Sequence, residues 1–268
     1  MNQKVICYDT VLDVEAYSFT GVSQNFPNHF HDYYVIGLIE EGERTMVVNN
    51  QEYLLSPGDL LTFNPYDNHS CEGVEGERLT YLCINIKREV MQPFTGSDLP
   101  VFFSPMQIQT VLAEDFRRLH QAIMTDGEAE EKETLFLLFI EVLLQHYTHT
   151  PPLTPVIEEQ ETIATVCAYL ETHYDQKITL EELCEHVHLN KHSLVRQFTR
   201  KKGITPYRYL ETYRIMKAKE LLEQGHSLVE TADRTGFYDQ SHFTNYFSRF
   251  IGLTPNQYRM IFKKGNEE

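Results

Sequence analysis

The sequence predicts a two-domain α+β chain: an N-terminal β-barrel with a helical hairpin, then an all-α C-terminal domain with two helix-turn-helix units. Three observations carry this. Residues 5 to about 90 break into short apolar runs between turn signals. From roughly residue 160 onward one pattern occurs twice. Between these regions the charge changes character: residues 1–155 hold 8 Lys/Arg against 23 Asp/Glu, whereas residues 156–268 hold 15 against 16.

A chain of 268 residues is long enough for two domains that each bury a core. A hydrophobic content of 41% with 23% charged residues fits a soluble globular protein. The five cysteines (Cys7, Cys71, Cys83, Cys167, Cys184) are odd in number and scattered, with no C-x-x-C. That pattern predicts reduced thiols in a cytoplasmic protein and argues against a disulfide framework or a zinc cluster built on them. No signal peptide is visible, and the longest apolar run, Leu135 to Ile140, is broken by Glu141, so no membrane span is expected.

The strands begin weakly, at Val5–Tyr8 and Tyr17–Thr20. Asp32 to Ile39 is the first strong one, ended at Glu41-Gly42. Arg44–Val48 is expected to pair with Glu52–Leu55 across Asn49-Asn50, because Asn tolerates positive φ. Ser56-Pro57-Gly58-Asp59 turns the chain into Leu60–Asn64, then comes Pro65 to His69, and Leu79–Ile86 closes the set. Short strands spaced this closely read as a barrel or a sandwich, spanning about 5–90.

Two helices are expected over about 105–147. Ile108, Val111, Leu112, Phe116 and Leu119 have helical period, as do Leu135, Leu138, Phe139, Val142, Leu143 and His146, with Asp126-Gly127 between the two runs. They would close the barrel or pair with a second subunit. The first domain is therefore set at 1–148, a proline-rich linker at 149–160, and the second domain at 161–264.

In the second domain Phe198, Gly203, Thr205-Pro206 and Tyr209 recur as Phe247, Gly252, Thr254-Pro255 and Tyr258 at a constant offset of 49. Upstream, Cys184 matches Ala232, His188 matches Gly236, Asn190 matches Asp239 and Leu194 matches Phe243, with Tyr238 as the inserted residue. Each copy reads as helix, tight turn, helix, over 180–201 and 228–251. Thr179-Leu-Glu-Glu182 is a capping box, Asn190 and Asp239 are N-caps, and Gly236 supplies a turn with positive φ. A small residue in the first helix and a capped second helix make the geometry that enters a DNA major groove. From Asn190 onward there are 14 Lys/Arg against 8 Asp/Glu, a local balance of +6 in a chain at −16. Phosphate contact requires such a segment.

Over residues 160–262 the chain resembles the DNA-binding domain of AraC/XylS-type transcription regulators. Leu194, Arg196, Phe198, Gly203, Pro206, Tyr209-Leu210, Arg214 and Ala218, then Gly236-Phe237, Phe243, Phe247, Gly252, Thr254-Pro255 and Tyr258-Arg259, stand where that family's signature has them. His29-x-His31, the hairpin, Ser56-Pro-Gly-Asp59 and Pro65-x-x-x-His69 resemble the effector-binding cupin that often precedes such a domain. The resemblance implies double-stranded DNA, a small-molecule effector, a homodimer partner and RNA polymerase as the things the protein meets.

Outward positions on the two second helices are Lys191, His192, Val195, Arg196 and Arg200, then Gln240, Ser241, Thr244, Asn245 and Arg249. By resemblance the base readers are His192, Val195, Arg196, Gln240, Ser241, Thr244 and Asn245. Arg pairs with guanine, Gln and Asn with adenine, and Val and Thr methyls meet thymine. Arg200 and Arg249, with Lys201 and Lys202, are placed for phosphate.

In the barrel, strand alternation puts His29, His31, Tyr33 and Val35 on one face and Phe30, Tyr34, Ile36 and Leu38 on the other. Arg44 is one of only two Lys/Arg in the first 77 residues and suits a carboxylate or phosphate clamp, or else a surface pair with Glu41 or Glu43. The effector residues expected are His29, His31, Tyr33, Arg44, Asn64, His69 and Tyr81. Enzymatic cupins add a Glu to three His as metal ligands; here that position falls on Val35 or Ile36. The three His then line the wall, bind an effector, or hold zinc or iron by themselves. The expectation is an effector-controlled DNA-binding regulator without metal, cofactor or catalysis. The alternatives are a metal-dependent cupin enzyme fused to a DNA-binding domain, and a constitutive activator whose barrel only dimerises.

Overall fold

The computed structural model describes residues 3–74, 77–95, 99–102, 108–109, 112–149 and 158–263. It divides into two compact units, residues 1–152 apart from 27–29, and 153–268 together with those three.

The strands of the N-terminal half are β1 Gln3–Asp9, β2 Val14–Val22, β3 Phe26–His29, β4 Tyr34–Glu41, β5 Arg44–Val48, β6 Gln51–Leu55, β7 Asp59–Phe63, β8 His69–Gly73, β9 Leu79–Ile86, β10 Val101–Phe102, β11 Ile108–Gln109 and β12 Thr148–His149. Its helices are α1 Arg88–Thr95, α2 Leu112–Met124 and α3 Ala129–Tyr147. The main sheet has the order β1-β2-β9-β4-β7-β11, the second β3-β8-β5-β6, and β10 pairs with β12. The expected barrel is thus two antiparallel sheets and not a closed cylinder. Among the described residues no ladder joins the main sheet to the second. Gly42, at φ +81°, carries the chain from β4 toward β5; a side chain there would lie 2.2 Å from the Arg78 carbonyl.

Alternation along β4 builds two cores from one strand. Tyr34, Ile36 and Leu38 pack with Phe116, Leu119, Phe139, Ile140 and Leu143 of α2 and α3. Val35 and Ile39 pack inward with Met46, Val48 and Leu55 of the second sheet. The face assignment read from the sequence therefore holds for this strand. Asn49 and Asn50 both have positive φ, and Val48 pairs with Gln51 as a two-residue hairpin demands.

Three expectations are corrected. The first helix begins at Leu112, not Pro105, and Ile108–Gln109 pairs antiparallel with Leu60 and Asp59. Residues 103–107 and 110–111 lie outside the described residues, as does most of the expected linker. On α3 the buried stripe is Phe136, Phe139, Ile140 and Leu143, while Leu138 and Val142 are exposed. Sequence reading also passed over β3, β8 and α1, the last because Pro93 sits inside it.

The second unit is helical: α4 Glu158–Thr172, α5 Leu180–Val187, α6 Lys191–Lys202, α7 Pro206–Glu223, α8 Leu228–Arg234, α9 Gln240–Ile251 and α10 Pro255–Lys263. Thr179 and Glu182 form the capping box of α5. Thr205 caps α7 with Pro206 in its first turn, where a missing N–H costs nothing. Leu194 and Phe198 are fully buried, and Phe243, Phe247 and Tyr258 form the matching core of the second copy. Among the described residues no helix is long and apolar enough to cross a membrane.

Candidate nucleic-acid interface and effector pocket

Asn190 and Asp239 set the start of the two outward-facing helices. The Asn190 Oδ1 accepts from the Ser193 amide at 2.9 Å, and the Asp239 Oδ1 from the His242 amide at 2.7 Å. Each helix then ends on a glycine in the left-handed region, Gly203 or Gly252. With both ends fixed and Leu/Phe turned inward, the opposite face must be outward. His192, Arg196, Arg200, Gln240, Ser241, Asn245 and Arg249 are exposed, and Val195 and Thr244 half-buried. Val195 borders an apolar hollow with Leu170, Leu183 and Leu210. Lys191 is exposed but ion-paired with Glu181 of α5. Behind the turn of the second copy, Arg214 holds the segment between α4 and α5, donating to the Tyr174 and Gln176 carbonyls at 2.7 Å each, and Gly236 leaves room for that guanidinium.

In the N-terminal sheets the predicted residues part company. His29, His31 and His69 bring ligand atoms within 4.8 Å of one another, a group able to hold a metal ion. The Nδ1–H of His29 donates to the Pro27 carbonyl at 2.6 Å, and that of His69 to the Asp67 carbonyl at 3.0 Å, which directs each Nε2 away from its own strand. His69 stacks on Phe63, and burial pushes its pKa down. His31 stacks on Tyr33 with ring centroids 4.7 Å apart. Val35 faces the inner core and Ile36 the helices, so β4 supplies no carboxylate at these positions.

Asn64 spends its amide on structure: Nδ2 donates to the Phe102 carbonyl and Oδ1 accepts from the Phe102 amide, at 3.1 and 2.7 Å. Arg44 is not a surface pair with Glu41 or Glu43; it is fully buried, with Nη2 donating to the Val22 carbonyl at 2.6 Å. Tyr81 is half-buried against Phe19, and its hydroxyl is held well above the ordinary pKa by burial.

Sequence reading missed a buried polar group on the same inner face. Tyr17 Oη donates to Glu15 Oε2 at 2.7 Å, and Asn85 Nδ2 donates to the same oxygen at 3.0 Å. The available signal was a charged residue inside the apolar run Val14-Glu15-Ala16-Tyr17.

Residues 11–140 match the model of an AraC-like ligand-binding domain, and residues 183–261 match a helix-turn-helix domain. The chain is 47% identical over 239 residues to the HTH-type transcriptional regulator YbfI of Bacillus subtilis, covering 87% of each chain. It is 28% identical over 248 residues to the transcriptional activator RhaS of Salmonella heidelberg, again covering 87% of each. In fold it is similar to ToxT of Vibrio cholerae, with a TM-score of 0.57, 16% identity and coverage of 96% and 99%. A ToxT structure with bound unsaturated fatty acid matches with a TM-score of 0.55 at 16% identity, covering 100% and 99%. The chain belongs to the AraC family of transcription regulators, with an AraC-like ligand-binding domain ahead of its helix-turn-helix domain.

Proposed function

We propose that α6 and α9 are the two DNA-reading helices and that a small molecule held between the N-terminal sheets controls what they do. The observation that carries the reading is the repetition itself: both helices share an Asn/Asp N-cap, a left-handed glycine end, two buried core residues and an outward polar face. In this assignment His192, Val195, Arg196, Gln240, Ser241, Thr244 and Asn245 read bases. Arg200 and Arg249 hold phosphates, and Lys191 joins them once released from Glu181. The effector is held by His31, Tyr33, Arg44, His69 and Tyr81, with His29 at the histidine end. Asn64 belongs instead to the clamp on Phe102.

The protein acts in the cytoplasm as a homodimer, without catalysis, and meets RNA polymerase at its promoters. Exposed Leu137, Leu138 and Val142 on α3 support the dimer. The effector must favour one arrangement of the dimer over another; a coupling of about 5–150-fold in affinity is ordinary. A domain boundary at 149–160 leaves residues 161–264 as a separate DNA-binding module.

The assignment is tested by comparing Arg196→Ala with Arg200→Ala on specific and mismatched duplexes. Arg196→Ala should cost about 1–3 kcal/mol on the specific site and relax one base position, whereas Arg200→Ala should weaken all duplexes alike and lower the salt slope by about one. Equal, sequence-independent losses in both variants would overturn the division of labour.

A further inference from the structure

We propose that the effector is a small organic acid whose carboxylate docks on Arg44 between the two N-terminal sheets. This rests on the reading of that space as the effector site and adds the chemistry of its occupant.

Arg44 lies on β5, opposite Leu55 on one side and Gly73 on the other. Met46 and Val48, which share its face, belong to the core between the sheets, so the guanidinium enters an apolar interior. It is fully buried, yet among the described residues only Nη2 has an acceptor, the Val22 carbonyl. Among the described residues Nε and Nη1 have none, and no carboxylate pairs with it. A permanent cation buried without a counter-charge is among the costliest arrangements a core can hold, and the cost falls when an anion arrives. The group is also built in: a methyl on Gly73 would lie 2.4 Å from Nη1, so that glycine keeps the place of the guanidinium.

The surroundings describe the rest of the ligand. Tyr81 stands within electrostatic reach of Arg44, Tyr33, Cys71 and Cys83, and it retains some solvent access. Its hydroxyl remains a neutral donor, suited to a second bond to an oxyanion. Beside it the inward face of β4 carries Gly37, paired with Cys83 of β9. Among the described residues a methyl added at Gly37 would touch only the Leu82 carbonyl oxygen, at 3.5 Å. Two small residues thus leave room between sheets whose other inward residues are mainly large and apolar, the buried Glu15 being taken up by Tyr17 and Asn85. A planar carboxylate fits one edge of the guanidinium, and an apolar body fits the walls. A neutral sugar would leave the cation unpaired.

The test is thermal melting of the full chain with butanoate, hexanoate, octanoate and phenylacetate, each beside its amide, and with a set of neutral sugars and inorganic phosphate. At least one acid should raise the melting temperature by several degrees while its amide does not. Arg44→Met should abolish that response, and Arg44→Lys should weaken the acid's affinity on the order of tenfold or more. If Arg44→Met does not fold, Arg44→Lys and the acid-amide contrast on the unchanged protein decide the question. Stabilisation by a sugar or an amide, equal in the Arg44 variants, would overturn the carboxylate assignment and leave the sensor reading standing. A response to phosphate and to no acid would also overturn it. Silence with every probe would count against both.

Discussion

Arg44 shows how much one side chain's surroundings matter: the same residue on an exposed hairpin would be a weak surface pair, and here it is a buried cation. Lys132 is the contrasting case. Its Nζ lies 2.7 Å from Asp9 Oδ2 with both side chains buried, and Asp9 Oδ1 also accepts from the Leu12 and Val11 amides. Removing one partner of such a pair strands the other charge, so Lys132→Met should lower stability by about 3–5 kcal/mol in denaturant unfolding. A loss below about 1 kcal/mol would show that water reaches Asp9. Neither burial was legible in the sequence. Spacing places Arg44 on a strand and Lys132 on a helix, but which face is buried depends on the partner layer. For α3 that layer turned the helix so that Lys132 and Phe136 face inward while Leu138 and Val142 face out.

At the level of elements, the helical half was nearly all readable, because its signals are local. Capping residues, left-handed glycines and buried Leu/Phe positions fix each helix within a few neighbours, and a second copy checks the first. Gly236 makes this testable. At φ +69° an added Cβ would lie 2.8 Å from the Asp175 carbonyl oxygen and 2.9 Å from Arg214 Nη2. Gly236→Ala should therefore cost about 1–3 kcal/mol and loosen the α8–α9 turn. Thermal melting should show this together with weaker specific binding; unchanged stability would mean that the turn relaxes freely. The sheets were less readable because strand pairing is non-local. Each strong strand was found, but closure into a barrel or separation into two sheets is decided by long-range partners. The short β3 and β8, rich in Asn, His and Gly, gave no apolar alternation to follow.

For the whole molecule, the exposed Leu138 and Val142 predict that Leu138→Lys shifts sedimentation from dimer to monomer; an unchanged dimer would place the interface elsewhere. Stability should also depend on pH through His120, which is buried with Nε2–H donating to the Tyr17 carbonyl at 2.8 Å. Burial lowers its pKa below the ordinary 6.5, so the unfolded chain binds the proton more readily than the folded one. Stability contributed by the neutral ring is present above about pH 6.5 and declines as pH falls below it. The melting temperature of the full chain should drop between pH 7.5 and 5.5, and the drop should shrink in His120→Gln; an equal drop in both would assign it to other groups. The central claim, that two helices of one domain read DNA sequence, is tested most directly by selecting bound duplexes from a random library. The account predicts an enriched motif with two conserved blocks about 10–10.5 base pairs apart, one degraded by Arg196→Ala and the other by Asn245→Ala. A library that emerges without a motif, or with a motif that neither substitution alters, would contradict it.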